Sequence, residues 1–141
     1  MTALKPQIGV SIAVMHEKYG SFLLVKRGNA PSKGMWAFPG GRLDFGELLA
    51  DGAARELNEE TGLTAENIEF FDHVEIIEPE EKDGVPAHHF LLCVHKGTGR
   101  GEPIAADDAE EARWVSIEEM SGLPVTGSTY AFAQRIALAQ S

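Results

Sequence analysis

The chain has 141 residues, 43% hydrophobic and 24% charged, which is the composition of a single folded domain over residues 1–141 and excludes a disordered chain. Its 22 acidic and 12 basic residues leave a formal net charge of −10, which argues against a nucleic-acid polymer or an anionic membrane as partner, because both need a positive field. The run Phe90-Leu91-Leu92-Cys93-Val94 is far shorter than the roughly 18 residues of a membrane span, MTALKPQ has no apolar leader, and one cysteine forms no internal disulfide, so a cytoplasmic protein is expected.

Residues 7–17 and 21–27 are rich in β-branched and aliphatic side chains and break at Tyr19-Gly20, which predicts a hairpin. A loop over 28–34 and a short strand over 35–38 follow, then Pro39-Gly40-Gly41. Leu48 to Thr61 has helical spacing and stops at Gly62, a natural residue just past a helix end. Strands are predicted at 68–77 and 88–95, with Asp83-Gly84 as a turn signal between them and Cys93 buried and inert in the second. Trp114-Val115 reads as a last short strand, Ser116 as the N-cap of a helix, and Tyr130 to Ala139 as a closing helix. Strands interleaved with two or three helices give an α/β sandwich.

The chemistry is concentrated in Gly41 to Leu63, GRLDFGELLADGAARELNEETGL. At about 100° per residue, Glu56, Glu59 and Glu60 share a sector of the helix roughly 100° wide, beside a packing side of Ala50, Ala53, Ala54 and Leu57. Like charges so placed destabilise a bare helix, and a bound cation would relieve them. Oxygen-only donors select hard cations, so Mg²⁺ is expected, with Mn²⁺ as a substitute. Gly52 projects onto the acidic sector, where a missing side chain would leave room for metal or phosphate.

Gly41, Glu47, Arg55, Glu56, Leu57, Glu59, Glu60, Gly62 and Leu63 match G-x5-E-x7-R-E-U-x-E-E-x-G-U, where U is a large aliphatic residue. A chance match in a chain this size is on the order of 10⁻⁷ to 10⁻⁸ from ordinary residue frequencies. The segment resembles the signature box of the Nudix hydrolases, and Trp36-Ala37-Phe38-Pro39-Gly40-Gly41 and the acidic stretch before Arg113-Trp114-Val115 resemble its usual flanks. The resemblance implies a Nudix fold, an α/β/α sandwich with a mixed β-sheet, and hydrolysis of a nucleoside diphosphate linked to a further group. It implies that Glu56, Glu59 and Glu60 bind the metal, with the Gly41 carbonyl as an extra ligand, that Arg55 orients Glu56, and that Glu47 holds Arg55. Eight residues of helix span about 12 Å, so Glu47 would have to lie in a loop that folds back. Glu56 or Glu59 is the first choice of general base, with Glu110 or Glu111 as the alternative.

Arg27 matches a position where relatives contact substrate phosphate, and Arg42, after the Pro-Gly-Gly turn, is a weaker candidate of the same kind. Trp36, Phe45 and Tyr130 could stack on a base, but core or rim packing is the better explanation of each. At most one of His88 and His89 points inward at the start of a strand. Pro79, 16 positions after the box, resembles a proline of ADP-ribose-cleaving relatives, and a turn-entry proline accounts for it as well. The substrate expected is therefore a small nucleotide, ADP-ribose or a related diphosphate. The alternatives are a nucleoside triphosphate, cleaved to monophosphate and pyrophosphate, and a non-catalytic nucleotide sensor. Many relatives are homodimers, but no apolar stripe in the sequence marks an interface.

Overall fold

A computed structural model describes residues 4–78 and 84–140. In chain order the elements are β1 (Gln7–His16), β2 (Phe22–Arg27), β3 (Trp36–Ala37), β4 (Gly40–Arg42), α1 (Leu49–Thr61), β5 (Glu66–Ile77), β6 (His89–Gly99), β7 (Ala109–Val115), α2 (Ile117–Met120) and α3 (Gly127–Ala139). The seven strands form one mixed sheet in the order β3-β2-β1-β6-β5, with β4 paired to β1 and β7 to β2. β1 and β6 run parallel over ten residues, from Gln7 opposite Phe90 to His16 opposite Gly99.

β1 is buried on both faces, which explains its near-continuous apolar sequence. Side chains alternate across a strand, so Val10, Ile12 and Val14 pack with Leu23, Ala53 and Leu57 beneath α1. From the opposite face Ala13 joins Phe22, Leu24, Phe132 and Ile136 beneath α3. Two cores on two faces of one sheet make the α/β/α sandwich. α1 stops where Gly62, at φ 74°, takes the left-handed conformation and donates its amide to the Asn58 carbonyl.

The predicted elements are present, and several run further than their sequences suggest. β6 continues to Gly99 because Lys96 to Gly99 pairs with Ala13 to His16. The stretch before Trp114 is strand from Ala109, held antiparallel on β2 with an irregularity at Lys26/Arg27. α3 opens at Gly127, behind Thr126, whose side chain accepts the Thr129 amide. A glycine in the first turn, poor in helix propensity, conceals that start in the sequence. β4 was not anticipated, since Gly40-Gly41 reads as a turn. A Cβ on Gly40 would lie 2.8 Å from that of Ser11, so glycine permits this close pairing. Ser116 caps α2 as expected, with Glu119 completing a capping box.

Candidate active site

The loop from Leu43 to Leu48 turns through Gly46 and brings Glu47 back onto α1. Arg55 Nε donates to Glu47 Oε2 at 2.7 Å, and a terminal nitrogen donates to Oε1 at 3.0 Å. This is the fork-to-fork geometry that favours arginine over lysine. The same guanidinium donates to Glu56 Oε1 at 2.9 Å and to the Arg42 carbonyl at 3.0 Å, and it reaches Glu59 at 3.3 Å. It also lies 3.4 Å from Asp44. Arg55 thus ties the loop, the end of β4 and two helix carboxylates together. Its hydrogen bond to Glu47, aided by the Asp44 amide, lowers the Glu47 carboxyl to about 2. The bond to Glu47, more than the one to Glu56, holds Arg55 protonated.

The three helix glutamates occupy different environments. Glu60 is only 5% exposed, whereas the Glu59 side chain is 42% exposed and leans on Arg55. Burial, then a hydrogen bond and like-charge repulsion from Glu56, push the Glu60 carboxyl up to about 9, against the pull of the Gly40 amide and Arg27. Gly41 backs directly onto Glu56, since a Cβ there would stand 2.6 Å from its carboxylate oxygens. Among the described residues no three His, Cys, Asp or Glu side chains already converge as a metal cage. Glu56 and Glu60 do share one cleft, and Mg²⁺ is commonly held by one or two carboxylates together with substrate phosphate and water. The oxygen-only set therefore suits a hard cation.

That cleft, about 500 Å³, is bordered by Arg27, Arg42, Asp44, Glu56, Glu60, His88, Phe90 and Asp108. Both arginines singled out in the sequence line it, as does His88, whose ring stacks on Phe90. Arg27 Nε donates to the Pro31 carbonyl at 2.6 Å, so the 28–34 loop folds over its stem. Glu110 and Glu111 are exposed on β7 and do not line the cleft, and Glu111 pairs with Lys26 at 3.6 Å. From this acidic stretch it is Asp108, just before β7, that lines the cleft, an assignment hidden by the strand irregularity beside it.

Several expectations change. Gly52 is buried, and a Cβ on it would come within 2.9 Å of Glu47 Oε1 and Leu43 and 3.2 Å of Val10. Its missing side chain admits the loop that carries Glu47, with no space left there for metal or phosphate. Ala50 is exposed, while Leu49 joins the packing side. Trp36 is core, beneath the Arg113 guanidinium at 5.0 Å, Phe45 is fully exposed, and Tyr130 packs against the α3 core. Cys93 is buried, and burial raises its thiol. Pro79 and Asp83 lie outside the described residues. An apolar pocket of about 110 Å³ adjoins the cleft, sharing Arg27, Pro31, Gly40, Gly41 and Phe90 with it. It holds the aromatic rings that the sequence reading missed: Phe38 from the link between β3 and β4, Phe90 from β6 and Phe132 from α3.

The NUDIX domain profile matches residues 5–135. An ADP-ribose pyrophosphatase of Methanocaldococcus jannaschii is 32% identical over 120 residues, 85% of this chain and 68% of its own length. Phosphatase NudJ of Escherichia coli K12 is 34% identical over 116 residues, 82% of this chain and 72% of its own. Among solved structures, a MutT NUDIX hydrolase from Burkholderia pseudomallei superposes with a TM-score of 0.75 at 28% identity, covering 97% of this chain and 98% of its own. The NUDIX domain of Shewanella oneidensis NrtR, complexed with ADP-ribose, gives 0.79 at 18% identity, covering 99% and 91%, a likeness of fold. With the complete box folded into one helix and its returning loop, and with a profile match along nearly the whole chain, this protein belongs to the Nudix hydrolases, enzymes that act on small nucleotide substrates with divalent metal ions.

Proposed function

We propose that the protein hydrolyses the pyrophosphate linkage of ADP-ribose or a closely related nucleoside diphosphate derivative, with Mg²⁺ as the working metal and Mn²⁺ as a substitute. The observation that carries this reading is the position of Arg27. It borders both the carboxylate cleft and the apolar pocket, so a diphosphate can lie beside the glutamates with an organic end anchored next to it. The relative named for ADP-ribose hydrolysis supports the substrate class.

Glu56 and Glu60 would hold the metal, Glu59 would join them by turning from Arg55, and the Gly41 carbonyl would supply a further oxygen. A divalent ion there neutralises phosphate charge and lowers the pKa of water. Arg27 and Arg42, which line the same cleft, would bind the phosphates. Glu56 lines the cleft and Glu59 does not, which supports Glu56 as the group that takes the proton of the attacking water. Water oxygen bonds to one phosphorus, the bond from that phosphorus to the bridging oxygen breaks, and AMP and ribose 5-phosphate leave.

Product analysis in Mg²⁺ tests this, over ADP-ribose, NADH, a diadenosine polyphosphate, a sugar nucleotide, dNTPs and 8-oxo-dGTP. AMP from ADP-ribose is expected, and Glu56→Gln should lower its release by about 10²–10⁴-fold while the helix stays folded. Pyrophosphate from a triphosphate, with ADP-ribose intact, would replace the substrate assigned here. Near-normal turnover in Glu56→Gln would remove Glu56 from the chemistry.

A further inference from the structure

The apolar pocket beside the cleft contains an unexplained polar atom. Ser11 lies in the middle of β1, is 4% exposed, and borders the pocket. Its Oγ is buried and has no hydrogen-bond partner among the described residues. Buried hydroxyls are ordinarily bonded, so an orphan of this kind calls for an explanation. Packing does not provide one, because alanine would fill the same place without leaving a donor unmatched.

The other walls narrow the occupant. Phe38, Phe90, Leu92 and Phe132 supply flat apolar surface. Thr129, also 4% exposed, borders the pocket from the first turn of α3. Its hydroxyl accepts from Thr126 Oγ1 at 2.7 Å and keeps its own proton to donate. The pocket therefore offers donors from two sides within an aromatic lining.

Resting on the hydrolytic reading above, we propose that Ser11 is a specificity-determining residue. Its hydroxyl donates to an acceptor atom on the edge of a heteroaromatic ring, the nucleobase of the substrate, which enters this pocket while the attached phosphates pass Arg27 into the cleft. Selection then comes from the edge of the ring, since a ring without an acceptor there would leave the Ser11 donor buried and unpaired.

The test compares the wild-type protein with Ser11→Ala by calorimetric titration in Mg²⁺, using AMP, GMP, CMP and UMP as probes and ribose 5-phosphate as a ligand without a base. At least one nucleotide should bind about five- to tenfold more weakly to Ser11→Ala, with ribose 5-phosphate unchanged. The ligand-free variant should also melt at the same or a higher temperature, because an unsatisfied hydroxyl has been removed. Equal affinities of the two proteins for all four nucleotides would overturn the assignment. So would an equal loss for ribose 5-phosphate, or a lower melting temperature, either of which would make the hydroxyl structural. Failure of the ADP-ribose reading shows separately: Ser11-dependent nucleotide binding without AMP release from ADP-ribose leaves this assignment standing and removes that substrate.

Discussion

Arg55 donates to Glu47, Glu56 and the Arg42 carbonyl through a planar group with five N–H bonds. Lysine carries the same charge on a single nitrogen and cannot span partners on a loop, a helix and a strand end. On the reading proposed above, Arg55 would position Glu56 through their 2.9 Å hydrogen bond. In Arg55→Lys, turnover should fall about 10–100-fold, in the range seen when groups that orient metal ligands are altered. The Mg²⁺ concentration for half-activation should rise several-fold while the KM for substrate changes little. A metal titration of activity checks this, and an unchanged half-activation point would separate Arg55 from the carboxylates. Glu47, held ionised down to about 2 by Arg55 and the Asp44 amide, should keep this clamp closed throughout the neutral range. That Glu47 holds Arg55 was implied by the resemblance of the box, and the structure shows the contact. Separation along the chain alone could not give it, because spacing does not show a loop folding back.

At the scale of elements, α1 shows how one helix serves packing and chemistry together. Leu57 and Ala53 are fully buried on β1, and Glu60 follows on the same side. Glu60 therefore lies in the seam between helix and sheet, where burial raises its proton affinity, while Glu59 one residue earlier meets solvent. Gly52 sits on that seam against Leu43, Val10 and the Glu47 carboxylate. Replacing glycine by alanine in an exposed helix gains about 1 kcal/mol. Here the added methyl must displace packed atoms, and overpacking costs about 1–3 kcal/mol. Gly52→Ala should thus be less stable than wild type in urea unfolding, and it should lose activity by displacing Glu47. A gain in stability would show that the loop yields easily. Helical periodicity located this element to within a residue or two. It could not assign Gly52, because the acidic sector borders the buried side and the sequence does not state what packs there.

For the whole molecule, the buried Glu60 couples folding to pH. Its carboxyl stands at about 9 in the folded, metal-free protein, against 4.5 ordinarily. Between those values the folded chain holds a proton that the unfolded chain has released, so stability falls as pH rises through the window. In EDTA, urea unfolding should show lower stability at pH 8.5 than at 5.5, and Glu60→Gln should flatten that slope. Saturating Mg²⁺ should oppose it, since a metal ligand must be deprotonated and binding favours the folded state. A slope unchanged in Glu60→Gln would place the coupling elsewhere.

The sequence by itself determined the family, the helix with its three glutamates, the α/β class and the strongly acidic balance. These depend on local spacing and composition, which a chain carries before it folds. Tertiary structure alone decided that Glu60 is buried while Glu59 meets solvent, and that Asp108 reaches the cleft while Glu110 and Glu111 do not. It alone brought Ser11, Phe38, Phe90 and Thr129 from four distant segments around one pocket. Those outcomes depend on register and on which elements cross, contacts between residues far apart in sequence that no local pattern encodes.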